Sequence, residues 1–262
     1  MSEELEFLKK EIFSRYGSIK RARGHFLYTQ KGIRLTDLYL ENGRAILGWG
    51  GSSSFTELKN VLSRGITGSF ITDVDFRLEK AVSALIGDKR KLFVFSKMQE
   101  AMEAALNIAP DSTFVYKPWA PFGLNWKDSK ALIIVPPLAW TPDIFILAVK
   151  EETQINNVIL ENTDKKCIKL SSPIAQGVCR SFYNLIKAIQ EQSEKDWFIW
   201  DKKICKYWER RGPYLYIKKD IIKEKNYKDF VLHCLNNGVI INPMYNGESI
   251  VPVGADSGVI KI

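Results

Sequence analysis

The sequence predicts an α/β protein, and three observations carry that prediction. Ala131 to Val135 and Ile144 to Val149 are wholly apolar runs, too apolar for a sheet with one wet face, so they belong in a covered, parallel sheet. Leu92 to Phe95 is a third short apolar run, and the period changes directly after it. Ala101, Ala104, Ala105 and Ile108 fall at i, i+3, i+4 and i+7, one face of a helix, and three alanines let that face lie close against a sheet. Strands and helices alternate along most of the chain.

Each element has a local signature. Residues 2 to 16 read as a helix capped by Ser2, with Glu3 and Glu4 in its first turn, Leu5, Leu8, Ile12 and Tyr16 on one face, and Gly17 after its end. Residues 26 to 28 and 33 to 39 form a β-hairpin about a turn at 30 to 32. Helices follow at 55 to 62 and 76 to 85, then the strand at 92 to 95 and the alanine-faced helix, which Pro110 ends. Strand, tight turn, helix N-terminus is a geometry that offers backbone donors to a phosphate. Residues 110 to 130 are an aromatic loop with Phe114, Tyr116, Trp119, Phe122 and Trp126, read as a lid over a core edge or as a stacking surface. Val158 to Leu160 reads as a short strand. Pro173 to Glu194 is a long helix with Ser172 as its cap.

The C-terminal part begins with Asp196 to Arg211, where Trp197, Trp200, Tyr207 and Trp208 alternate with Lys202, Lys203, Lys206, Arg210 and Arg211. Helical amphipathicity and a polyanion-binding face both explain that pattern. Strands at 214 to 217, 239 to 241 and 250 to 251 and a helix at 229 to 235 close the chain. Residues 1 to 65 and 196 to 262 are read as the two segments of a small α+β domain, and 66 to 195 as the large domain.

Composition bounds the function. The chain has 262 residues, 45% of them hydrophobic and 26% charged, which is ordinary for a globular protein with a sizeable core. MSEELEFLKKE has no apolar leader region and no apolar run reaches a membrane span, so no signal peptide and no membrane partner are expected. Four scattered cysteines without a CxxC pair suit a free-thiol cytoplasmic protein. Two histidines give a histidine-rich metal site or a histidine triad little material. The net charge of +8 reads as a solvated lysine-rich surface, and no nucleic-acid partner is expected without an accompanying motif.

At this level the residues resemble a family. GHFLYTQKGIRLTDLYLENGRAILG is similar to the opening segment of the class III aminotransferases, the fold-type I enzymes that use pyridoxal phosphate (PLP). The match runs through Leu27–Tyr28, Gly32, Arg34, Asp37, Gly43 and Leu47–Gly48, with Trp49 where the family carries His. FVFSKMQEAMEAALNIA resembles the family's strand, Ser-Gly-Thr turn and Glu-Ala-Asn-Glu-Ala-Ala-Leu helix, through Glu100–Ala101 and Glu103–Ala104–Ala105–Leu106. ALIIVPP resembles the strand ending in Asp-Glu, and TPDIFILAVK the Pro-Asp strand with the Schiff-base lysine. SSPIAQGVCRSFYNLIKAI and the C-terminal RRGPYLYIKK through VIINPMYNGESIVP resemble the helix and small domain that follow.

The resemblance implies a fold-type I sheet with helices on both faces, here reduced, plus the small domain. It also implies a homodimer, or a dimer with a full-length paralogue, and PLP as the group to test. It places the phosphate-binding turn at Lys97, Met98 and Gln99, where the family's Ser-Gly-Thr wraps the phosphate, and the ring-nitrogen Asp at Pro136. The lysine position falls on Val149, with Lys150 one residue beyond and on the other strand face unless a bulge restores it. The chain is also shorter than these enzymes, mainly between Pro110 and Ala131. These departures lead to the expectation of a non-catalytic aminotransferase-like protein that binds a small anion or acts by dimerising. A PLP enzyme working through Lys150 is the alternative, and a polyanion binder the second alternative.

Overall fold

The computed structural model describes residues 2–51, 53–65, 70–119, 123–141 and 143–251, apart from the side chain of Asp75. These group into two compact units, one from the described residues of 1–50 and 192–262, the other from 51–191.

The chain starts in the first unit with α1 (Glu3–Tyr16), β1 (Ile19–Arg23), β2 (Phe26–Thr29) and β3 (Arg34–Asp37). Ser2 caps α1 by accepting from the Leu5 N–H at 3.4 Å, and three glutamates sit in the first turn, where the helix dipole favours them. In the second unit come α2 (Ser53–Ser63), α3 (Arg77–Ile86), β4 (Arg90–Phe95), α4 (Met98–Ile108), β5 (Thr113–Val115), β6 (Ala131–Ile134), β7 (Phe145–Lys150), α5 (Asn157–Lys166) and α6 (Ser172–Glu191). The chain returns to the first unit with α7 (Glu194–Phe198), α8 (Asp201–Ile204), β8 (Trp208–Arg211), β9 (Tyr214–Ile217), α9 (Tyr227–Asn236), β10 (Val239–Ile240) and β11 (Ser249–Ile250). None of the helices, among the described residues, is long and apolar enough to cross a membrane.

The second unit holds a four-stranded sheet in the order β4-β7-β6-β5. The sequence reading of a parallel sheet is corrected here: β4–β7 and β6–β7 are antiparallel, and only β5–β6 is parallel. Burial on both faces makes the strands apolar throughout, but apolarity reports covering and not direction. The ten-residue connection 135–144 was the informative feature, because a parallel crossover needs a dozen or more residues. One face packs its Phe93, Phe95, Ile133, Leu147 and Val149 against the buried alanines of α4. The opposite face, with Leu132, Ile134, Ile146 and Ala148, is equally buried. The expected strand at Val158 to Leu160 is instead part of α5. Asn156 accepts from the Val158 N–H at 2.8 Å, and that cap outweighs the β preference of so short a run.

The first unit carries a sheet in the order β1-β2-β3-β10 and a second sheet β11-β9-β8. Chain ends meet in the first sheet, where Val239 and Ile240 pair in parallel with Thr36 and Asp37. Two polar groups tie the loops of this unit to its core. Asn242, fully buried, accepts from the Met244 N–H and donates to the Glu248 carbonyl, both at 3.0 Å. Gly247 packs so closely on it that a Cβ there would stand 2.5 Å from the Asn242 amide nitrogen. Asp37 accepts from the Tyr39 and Leu40 N–H groups at 2.9 and 3.0 Å and from the Trp49 indole at 2.9 Å. It thereby holds a turn in which Leu40, Glu41 and Asn42 all take positive φ, a conformation that costs about 1–2 kcal/mol per residue.

Burial pushes the Asp37 carboxyl up to about 6, against the lowering effect of its three donors. The folded state therefore keeps its proton to higher pH than the unfolded chain does. Stability from this group is full below the ordinary aspartate range and is lost as pH rises through about 6. Asp37→Asn is expected to flatten that slope, worth on the order of 2 kcal/mol, in urea unfolding followed from pH 4 to 7. At pH 4 it also lowers stability by about 1–3 kcal/mol, because an amide nitrogen then faces the Trp49 donor, and this deficit narrows as pH rises toward 7 and wild type loses its own contribution. Gly247→Ala is expected to cost about 1–3 kcal/mol by overpacking, read as a lower urea midpoint with an unchanged slope.

Candidate functional site

The strand–turn–helix from β4 into α4 is where the sequence places an anion site. Lys97 is the N-cap residue in extended conformation, and no side chain caps the helix, so the first amides of α4 are free to donate. Lys97 itself is exposed and turns along the helix to the Glu100 carboxylate at 2.9 Å. Met98 packs inward on the α4 core cluster, and Gln99 is exposed. These three side chains therefore diverge, one to the helix flank, one to the core and one to solvent.

Lys150 lies elsewhere. Phe95 pairs with Phe145 at the α4 end of the sheet, and Arg90 pairs with Lys150 at the other end. Five residue steps separate the two pairs, about 17 Å along the strands, more than a lysine side chain spans. The register is unbroken from Arg90 to Phe95, so no bulge rotates Lys150. Val149 points into the α4 core cluster, and Lys150, alternating with it, belongs to the opposite face. Its ammonium lies 3.3 Å from the Glu152 carboxylate. Lys150 lines a cavity of about 490 Å³ together with Lys130, Asp111, Asp128, Glu152 and Thr153. Pro136 is buried directly after β6, at the same sheet end as the α4 turn. The connection 135–144 contains no lysine.

Beside Lys150 is a group that sequence reasoning missed. The Arg90 guanidinium is fully enclosed. It donates to the carbonyls of Ser129 at 2.5 Å and of Trp126 and Lys127 at 3.2 Å each, with the Asp88 carboxylate at 3.4 Å. Desolvation pulls its pKa down, and Asp88 and Glu152 oppose that. In the sequence Arg90 stands inside DKRK, which reads as a solvated charge run; nothing local marks it as the clamp for the segment before β6.

The remaining candidates resolve as follows. Glu100 is engaged with Lys97, Glu103 with Lys166 at 2.9 Å, and Asp73 with Arg77, so these carboxylates form surface pairs. Tyr116 of the aromatic loop is buried and meets Trp126 edge-on at 5.3 Å, the arrangement of a core edge; Phe122 lies outside the described residues. In the basic–aromatic region Trp197, Trp200 and Trp208 are buried. Arg210 is tied to Asp201 at 2.5 Å and to Glu194 at 2.6 Å. This region is core with a charged rim, and its indoles are not available for stacking.

No protein-family model matches the chain. An uncharacterized protein of Treponema pallidum is 24% identical over 300 aligned residues, covering 95% of this chain and 93% of its own. An uncharacterized protein of Borreliella burgdorferi is 24% identical over 154 residues, 56% of this chain and 53% of its own. Among solved structures, the N-acetylornithine aminotransferase of Stenotrophomonas maltophilia superposes with a TM-score of 0.65 at 11% identity, over 96% of this chain and 94% of that one. The ornithine aminotransferase of Plasmodium yoelii gives 0.61 at 12% identity, over 99% and 96%. The fold is thus that of the aminotransferases; at such identities the likeness extends to the fold alone.

Arg90→Met is expected to leave several buried carbonyls without a donor and to cost about 3 kcal/mol or more, measured by urea unfolding. A loss well under 1 kcal/mol would show that the clamp is incidental.

Proposed function

We propose that this chain is an aminotransferase-fold protein that does not carry out transamination and works instead by binding. The observation that carries the reading is the place of Lys150, about 17 Å along the sheet from the α4 turn. The β6–β7 connection, at the same end of the sheet as the α4 turn, contains no lysine to hold PLP, and Pro136 stands where the resemblance puts the ring-nitrogen carboxylate. When bound in an enzyme, PLP supplies an electron sink for amino-acid carbanions; the residues here do not fit the group, and no step is assigned to it. Lys117 follows β5 at the α4 end of the sheet, three strands from β4 in the order β4-β7-β6-β5, about 14 Å away.

What the fold retains favours association and anion binding. The α4 amides stay uncapped, while the Lys97 ammonium is paired with Glu100. Phe70, Ile71 and Phe76 are 87%, 77% and 60% exposed in the second unit, apolar surface that a homodimer contact, or a contact with a full-length paralogue, would remove from water. The four cysteines are free thiols, which suits a reducing compartment such as the cytoplasm.

The test is incubation with excess PLP, borohydride reduction and peptide mapping. The expected outcome is no site-specific pyridoxyl-lysine and no aldimine absorbance that Lys150→Ala or Lys117→Ala removes. Stoichiometric labelling of either lysine would return the protein to the PLP enzymes.

A further inference from the structure

The sheet of the first unit has one face that the reading above leaves without a role. Side chains alternate across strands, so the pairings Arg21↔Tyr28, Arg23↔Phe26, Tyr28↔Arg34 and Phe26↔Thr36 place these six residues on one face. The other face, with Leu27, Leu35 and Asp37, is buried. Arg21, Arg23 and Arg34 are exposed, Phe26 and Tyr28 are half-buried between them, and Thr36, on the side toward β10, is buried, so the open part of the face is formed by the other five. The Arg34 guanidinium lies 4.4 Å from the Phe26 ring centre and that of Arg21 lies 5.9 Å from the Tyr28 ring, within cation–π range. The six include no carboxylate, and none of the three arginines makes an ion pair among the described residues.

Guarding of a sheet edge explains part of this pattern. β1 is an edge strand, and exposed Lys20, Arg21 and Arg23 there discourage pairing with another chain. Edge protection does not account for Arg34, which is on the interior strand β3, nor for two aromatic rings on a solvent face beneath guanidinium planes. Planar cations stacked on aromatic rings across an open sheet suit a ligand that carries both phosphates and flat rings. An anionic membrane supplies the charge without the rings, and an acidic peptide supplies carboxylates without the repeat of stacked planes.

We infer that the exposed face of β1, β2 and β3 binds single-stranded nucleic acid. Arg21 and Arg23, two residues apart and so about 7 Å along β1, contact the phosphates. Unstacked bases lie on the Arg34–Phe26 and Arg21–Tyr28 pairs, as guanidinium and ring planes accept them in other single-strand sites. The surface is in the first unit, so it stands or falls independently of the PLP question.

Fluorescence anisotropy of a labelled 15-nucleotide oligothymidine with the full chain tests this. Binding is expected at about 50 mM salt and should weaken linearly in log–log form as salt rises. Arg21→Gln/Arg23→Gln/Arg34→Gln, all surface changes, should keep the thermal midpoint, weaken binding at least tenfold and lower the salt slope by about 1.4, at ~0.7 for each of the two lost phosphate contacts. Arg21→Lys/Arg23→Lys/Arg34→Lys keeps the charge and removes the planes; a loss of about fivefold or more is expected if bases stack there. Absence of binding at low salt, wild-type affinity in the glutamine variant, or wild-type affinity in the lysine variant would each overturn the inference. So would binding to phosphatidylserine vesicles without binding to the oligonucleotide.

Discussion

The antiparallel register of β7 on β4 is the constraint on which the second unit depends. It aligns Phe95 with Phe145 and Arg90 with Lys150, and that fixes which residues share an end of the sheet. The α4 turn emerges beside the β6–β7 connection, and Lys150 is carried to the opposite end. The same pairing points Val149 at the α4 alanines and so completes the core cluster. Displacing β7 by one residue would turn its buried set to the other face, so packing holds Lys150 where it is.

Each unit is pinned by a few buried polar groups that would be expensive to leave unmet. Arg90 gathers the carbonyls of Trp126, Lys127 and Ser129 and thereby sets the approach to β6. Asp37 holds a turn of three left-handed residues and anchors the Trp49 indole, and Asn242 shapes the loop before β11. Asp37 and Asn242 sit near turns, where short polar side chains substitute for missing backbone partners. Arg90 does so with a charge, whose two Nη groups reach several carbonyls at once.

The likeness of this molecule to solved aminotransferases is one of fold. Solved aminotransferases superpose over nearly the whole chain at 11–12% identity, so the backbone path is shared where most side chains are not. The path delivers a strand, a tight turn and an uncapped helix, a geometry open to anions. Catalysis needs more: specific side chains converging on one point, and Lys97, Met98, Gln99 and Lys150 do not converge.

Much of the fold is legible locally. The periodicity of α1, α4 and α6, the hairpin of β2 and β3, and the apolar runs of β6 and β7 are written in neighbouring residues, because capping, alternation and helical faces act within a turn or two. That Arg34 and Asp37 stand on opposite faces of β3 also follows from alternation alone. Strand direction does not, since an apolar strand looks the same either way; it was decided when β7 packed between β4 and β6. The α5 cap at Asn156, the enclosure of Arg90 and the burial of Trp197, Trp200 and Trp208 likewise depend on what arrives from elsewhere in the chain. The sequence by itself determined the elements and the residue types available for a site. Only the tertiary structure decided which of them meet, because convergence is set by long-range register and packing, and those are properties of pairs of segments that no single segment encodes.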